Sequence, residues 1–130
     1  MDQQGLQLTV DAYGCPRRLI DSESFVEHTL LLLLEKIKMT RVGGPHTVRI
    51  GQKPGPSGIS CIVVLAESHI SIHTYPEIGF FSMDIYSCKS FDVEEALNLV
   101  NDRFKVKKAE TNIIPRIIRQ QMIEATVKTN

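Results

Sequence analysis

The chain has 130 residues, 42% hydrophobic and 23% charged, with fifteen basic and fifteen acidic side chains and a formal net charge of zero. That length and composition fit one domain with a real core, and the charge balance gives no overall attraction for nucleic acid or an anionic membrane. Three cysteines (Cys15, Cys61 and Cys88) form an odd set without tight pairing, which argues against a secreted disulfide scaffold.

The opening MDQQGLQLTV lacks the basic start and long apolar stretch of a signal peptide, and Leu6 to Ala12 alternates as a half-buried strand does. Tyr13-Gly14-Cys15-Pro16 reads as a turn. Ser24 and Glu27 have the spacing of a capping box, opening a helix to about Lys38 or Met39 that Gly43-Gly44-Pro45 would end. Its apolar run, Leu30 to Leu34, is too short to span a bilayer, so a soluble, cytoplasmic protein is expected. Thr47 to Ile50 is a short strand candidate, and Gln52 to Gly58 is a Pro/Gly loop. Ile59 to Ala66 is nearly all apolar and β-branched, which suits a buried central strand. Extended character continues over His69 to Thr74, Tyr75 to Gly79 is a turn, and Phe80 to Tyr86 is the next strand. A helix capped by Ser90 or Asp92 should cover Val93 to Phe104, burying Ala96, Leu97, Val100 and Phe104. Lys105 to Glu110 and Ile113 to Ile118 are weaker strand candidates, and the basic stretch from Arg103 to Arg119 reads as solvated surface. The order predicts a two-layer α/β sandwich, a mostly antiparallel sheet with two helices packed on one face. A chain this short has a large surface for its volume, which suits burial of a face in a homodimer.

Reactive side chains concentrate between Glu67 and Glu77, with Cys88 nearby. Several chemistries fit the residues alone. His69 and His73, four apart on a strand, could bind metal with Cys88 or Glu77. Ser68 or Cys88 could be a histidine-activated nucleophile, although no Gly-x-Ser-x-Gly elbow is present. The same residues could equally be satisfied core and surface groups.

The run Gly58-Ile-Ser60, Ala66-Glu67-Ser68-His69, Ile72-His73-Thr74-Tyr75-Pro76-Glu77, then Asp84 and Cys88, resembles the prokaryotic S-adenosylmethionine decarboxylase family. Weaker agreement extends to Asp11-Ala-Tyr-Gly14-Cys15. The resemblance implies self-cleavage between Glu67 and Ser68 into chains of 67 and 63 residues, with Ser68 becoming a pyruvoyl group. It implies that His73 assists processing, that Cys88 is the proton donor in decarboxylation, and that Ser60 and Glu77 support the site. No metal is implied. The substrate amine would form a Schiff base with the pyruvoyl ketone, which acts as the electron sink. The product would be the aminopropyl donor for spermidine and other polyamines, made by a homodimer of cleaved protomers.

Two departures bear on substrate. The segment Gly51 to Ser57 lacks the large apolar residue the family usually has there, so Tyr75 and Phe80 or Phe81 are expected to bind substrate by stacking. Cys88 is followed by Lys89 where glycine is usual. Arginine or ornithine decarboxylation by the same machinery is one alternative, which a carboxylate-rich pocket would mark. A non-cleaving small-molecule binding homologue is another. Because Ser68 and His73 are an odd number of residues apart, a bulge, bend or strand break is expected between Glu67 and Ser71.

Overall fold

The computed structural model describes residues 3–127; the ends of the expected 1–130 domain, with the first two residues of the opening stretch, lie outside the described residues. Among the described residues, six strands form one sheet: β1 (Gln3–Tyr13), β2 (Arg41–Gly51), β3 (Ser57–Leu65), β4 (Ser68–Tyr75), β5 (Phe80–Ser87) and β6 (Lys108–Ile118). Their order is β2-β3-β4-β5-β1-β6, and every neighbouring pair is antiparallel. The helices are α1 (Arg17–Ile20), α2 (Glu23–Lys36), α3 (Val93–Phe104) and α4 (Gln120–Val127). Val26, Leu30 and Leu33 of α2 and Ala96, Val100 and Phe104 of α3 share one core with the inward residues of β1, β3, β4 and β5. This is the expected two-layer α/β sandwich. Phe81 and Phe104 meet at its centre with ring centroids 5.0 Å apart, each fully buried and each stabilising by about 1.5–3 kcal/mol relative to exposure.

Period two explains which face of each strand is covered. Leu8, Val10, Ile59, Cys61, Val63, Ile70, Ile72, Met83 and Ile85 point under the helices and are buried. The opposite sheet face is open. Ile62 and Val64 lie there at 40% and 41% exposure, and Val48 and Ile50 of β2 are more exposed still. The sequence suggested a central strand covered on both sides. Instead β3 is one strand in from the edge, and its second apolar face is bare.

Several boundaries differ for identifiable reasons. The cap of α2 is Ser22, whose Oγ accepts from the Phe25 N–H, while Glu27 accepts from the Thr47 hydroxyl at 2.6 Å. The helix ends without glycine: Lys38 takes the left-handed turn at φ 60°, and Gly43-Gly44-Pro45 falls inside β2, where the ladder shifts register. The two weak strand candidates near the C-terminus are one strand, β6, paired with β1 along its length. Pro115 is tolerated there because β6 is an edge. Leu97 is only partly buried. The short α1 and α4 were not expected. α4 buries none of its side chains.

Candidate active site

β3 and β4 form a tight hairpin. Leu65 pairs with Ser68, so Ala66 and Glu67 alone make the turn. Two-residue hairpin turns normally place glycine, asparagine or aspartate at left-handed positions. Neither turn residue is of that kind, and the unusual dihedral falls on the next residue: Ser68 has φ 155°, at the far edge of the region L residues avoid. The strain thus sits on the residue that follows the Glu67–Ser68 bond.

That bond is held from both sides. The Cys88 N–H donates to the Glu67 carbonyl oxygen at 2.9 Å, and the Ala66 N–H donates to the Thr40 carbonyl at 2.9 Å. The Thr40 N–H in turn donates to Glu67 Oε1 at 3.0 Å, and Lys89 Nζ lies 3.6 Å from Glu67 Oε2. The Thr40 N–H, helped by Lys89, holds the Glu67 carboxyl below the usual carboxylate range against the opposing effect of partial burial. Cys88, whose N–H meets this turn, is half-buried, whereas Cys15 and Cys61 are buried in the core. Burial pushes the Cys15 thiol up to about 11, which keeps it protonated.

The other end of β4 is organised differently. Ser60 and His73 face each other across the β3–β4 ladder, and Ser60 Oγ shares a 2.8 Å hydrogen bond with His73 Nδ1. They line a cavity of about 320 Å³ together with Ile50, Gly58, Tyr75 and Glu77. A Cβ at Gly58 would strike the Thr74 carbonyl, so glycine lets the two strands close here. Tyr75 is half-exposed and tilts against Phe80 at 5.5 Å. Phe81, the other aromatic expected to stack on substrate, faces the core and is fully buried, so it is unavailable. Glu77 Oε1 accepts from the Ser57 N–H at 3.0 Å and lies 3.7 Å from Arg17, and that amide first, then Arg17, lowers its pKa. It is the one carboxylate on the cavity wall, and its charge is already answered. The carboxylate-rich pocket that would mark an arginine or ornithine enzyme is not what lines this cavity.

The expected break between Glu67 and Ser71 is not found. Both ladders of β4 run without register shift, with β3 from Ser68 to His73 and with β5 from Ser68 to Tyr75, because the two neighbours pin the strand on either side. Ser68 and His73 therefore stand roughly 16 Å apart at about 3.3 Å per residue, and alternation along the straight strand sets Ser68 with Ile70 and Ile72 on the helix side and His73 on the open face. One chain gathers Glu67, Ser68 and Cys88 into one cluster and Ser60, His73, Tyr75 and Glu77 into another. It does not bring the two clusters together. His69 and His73 do share a face, but the His69 ring packs toward Tyr86 at 5.9 Å, and no group of three metal-ligating side chains gathers among the described residues.

Some contributors were missed from sequence. Thr40 and Lys89 grip the turn through contacts 27 and 22 residues away in the chain, a distance at which spacing carries no signal. Asp21 ties the Gln52–Pro56 loop and β2 to α1 through Lys53 and Arg49, each at 2.8 Å. Burial would raise the Asp21 pKa, but these two cations outweigh it and lower it.

Known proteins share this pattern. Residues 6–117 match the profile of the S-adenosylmethionine decarboxylase family. A relative from Archaeoglobus fulgidus is 32% identical over 86% of this chain and 96% of its own, and one from Pyrococcus furiosus is 31% identical over 93% and 84%. One from Clostridium kluyveri is 27% identical over 95% of both chains. Each is named an S-adenosylmethionine decarboxylase proenzyme. The crystal structure of the adenosylmethionine decarboxylase from Aquifex aeolicus superposes with a TM-score of 0.73 at 25% identity, covering 91% of this chain and 95% of that one. Among the described residues no helix is long and apolar enough to cross a membrane.

Proposed function

This chain belongs to the S-adenosylmethionine decarboxylase family, and from that premise we propose that it cuts itself between Glu67 and Ser68 and then decarboxylates S-adenosylmethionine. The observation that carries the cleavage step is the 2.9 Å hydrogen bond from the Cys88 N–H to the Glu67 carbonyl oxygen. When Ser68 Oγ adds to that carbonyl, negative charge develops on the oxygen this amide already faces. The C–N bond then breaks, the hydroxyl proton passes to nitrogen, and the amide has become an ester. The φ of 155° at Ser68 raises the energy of the intact peptide and favours the exchange. A base must next remove the Ser68 α-proton, so that the Cβ–O bond breaks and Glu67 leaves as a carboxylate. His73, oriented by Ser60, is assigned that role.

The dehydroalanine left at position 68 tautomerises to an imine, and water hydrolyses it to the pyruvoyl ketone with release of ammonia; a hydroxyl residue in a strained turn, with a polarised carbonyl before it, suits that sequence. The pyruvoyl group supplies a ketone for the substrate amine and an adjacent carbonyl that accepts electrons as carbon dioxide leaves. Around it, Cys88 returns a proton to the substrate carbon. Tyr75 and Phe80 offer an aromatic wall to a purine, and the mostly apolar cavity suits it better than a guanidinium. The product is the aminopropyl donor for spermidine synthesis.

The working unit is a homodimer of cleaved protomers. His73 cannot reach Ser68 along its own strand, so it serves the partner's Ser68. The open sheet face, with Val48, Ile50, Ile62 and Val64 beside His73, is the surface that pairs, so that the partner's His73 approaches the Ser68 α-proton from the face opposite the Ser68 side chain. Three free thiols support the proposal of a reducing, cytoplasmic compartment.

Denaturing intact mass on fresh protein, then borohydride reduction, tests cleavage. Fragments split after Glu67, with a reducible carbonyl on the second, are expected. Release of labelled carbon dioxide from S-adenosylmethionine, but not from arginine or ornithine, fixes the substrate; one chain that never cleaves would overturn the reading.

A further inference from the structure

The two residues Cys88 and Lys89 hold Glu67 by different handles. The Cys88 amide takes its carbonyl oxygen at 2.9 Å, and Lys89 Nζ approaches its carboxylate at 3.6 Å. Lys89 is itself anchored. Its Nζ donates to the Lys38 carbonyl at 3.2 Å, and its N–H donates to Ser87 Oγ at 3.1 Å. The Lys38 carbonyl belongs to the left-handed residue that ends α2. The Glu67 side chain is 15% exposed, so the pair is partly shielded from solvent and screened less than a free surface pair.

Resting on the self-cleavage proposed above, we infer that Lys89 is a positioning residue for that step. By fixing the Glu67 carboxylate, Lys89 restrains rotation of the Glu67 peptide plane. The carbonyl oxygen stays on the Cys88 amide, and the carbonyl carbon stays open to Ser68 Oγ. Lys89 neither gives nor takes a proton. The bond formed is Ser68 Oγ to the Glu67 carbonyl carbon, the bond broken is that carbon to the Ser68 nitrogen, and the hydroxyl proton moves to that nitrogen. Without Lys89, main-chain amides, those of Thr40 and of Glu67 itself, hold the carboxylate with no cation beyond them, and the turn swings over a wider range. Near-attack geometry is sensitive to displacements of this size.

The test is the first-order rate of cleavage of newly made full-length chain, followed by intact mass. Wild type is compared with Lys89→Met, Lys89→Arg, Glu67→Gln and the Lys89→Met/Glu67→Gln double variant, at a temperature where circular dichroism shows each folded. Lys89→Met and Glu67→Gln should each slow cleavage about fivefold, on the scale of a lost, partly shielded ion pair. Lys89→Arg should restore the rate to within about threefold, and the double variant should be no slower than either single one. Cleavage of Lys89→Met at the wild-type rate, no rescue by arginine, or additive losses in the double variant would each overturn the inference. Failure of the wild type to cleave would instead remove the self-cleavage reading beneath it.

Discussion

At the Ser68 end of β4 the groups poised for chemistry are main-chain groups held in a turn, whereas at the His73 end, five residues on, they are side chains on a regular ladder beside a cavity. The first end is built for tension. A two-residue turn without glycine puts φ 155° on Ser68, and amides from Thr40 and Cys88 clamp Glu67. The second end is built for alignment. Cross-strand pairing sets Ser60 against His73 at 2.8 Å, and Glu77 is tied to the Ser57 amide. A strand long enough to separate two such environments cannot also bring them together, which is the basis for proposing a second copy.

The contrast can be broken most completely at Ser68. Ser68→Ala should leave a single 14.6 kDa chain and lower decarboxylation by about 10³-fold or more, the scale of a removed nucleophile, as seen by intact mass and carbon dioxide release. At the other end, His73→Ala should slow cleavage by about 10²–10⁴-fold, as loss of a general base does. Ser60→Ala, which removes only the partner of His73, should cost about tenfold. Both should leave melting temperatures near wild type, because Ser60 and His73 lie on the open face.

Joining the two ends is a separate variable. Ile62→Asp puts a charge on the bare face without touching the helix-side core. It should shift the protein to monomer in size-exclusion chromatography and suppress cleavage together with association. A monomer that still cleaves would detach the dimer from the chemistry. Smaller effects come from the frame around the cavity. Asp21→Asn should destabilise by about 1–3 kcal/mol at neutral pH, since Lys53 and Arg49 lose a charged acceptor. The folded-state pKa of Asp21 is lowered, so its contribution is full above the ordinary carboxylate range. It fades only as pH falls through the depressed value, and urea melts across acid pH should converge there. Least of all, brief alkylation of the folded protein should label Cys88 and spare buried Cys15 and Cys61.

Much of this was legible in the sequence because local rules decided it. Alternation in β1, the cap of α3 at Asp92 and the Phe80–Ser87 strand all follow from period and capping. The residue cluster from Glu67 to Glu77 was visible as reactive side chains after an apolar strand. What was illegible depends on ladders and on contacts distant in sequence. A bulge is expected where the strand is straight because the odd spacing of Ser68 and His73 is read as one chain's problem, and nothing local says that Leu65 pairs with Ser68 in an unbroken ladder. Nothing local says that Thr40 and Lys89 reach Glu67. The double-sided apolar character of β3 has two different outcomes: one side faces the helices, and the other, with Ile62 and Val64, is bare and is the face proposed for the partner.

The most direct test of two half-sites on one strand is complementation. Ser68→Ala and His73→Ala chains, distinguishable by mass, are co-expressed and compared with each expressed alone. The account predicts that the His73→Ala chain, which keeps Ser68, stays whole or cleaves slowly alone and is cut after Glu67 when the Ser68→Ala chain supplies His73. A His73→Ala chain that stays equally uncut in the mixture, or that cleaves at the wild-type rate by itself, would contradict it.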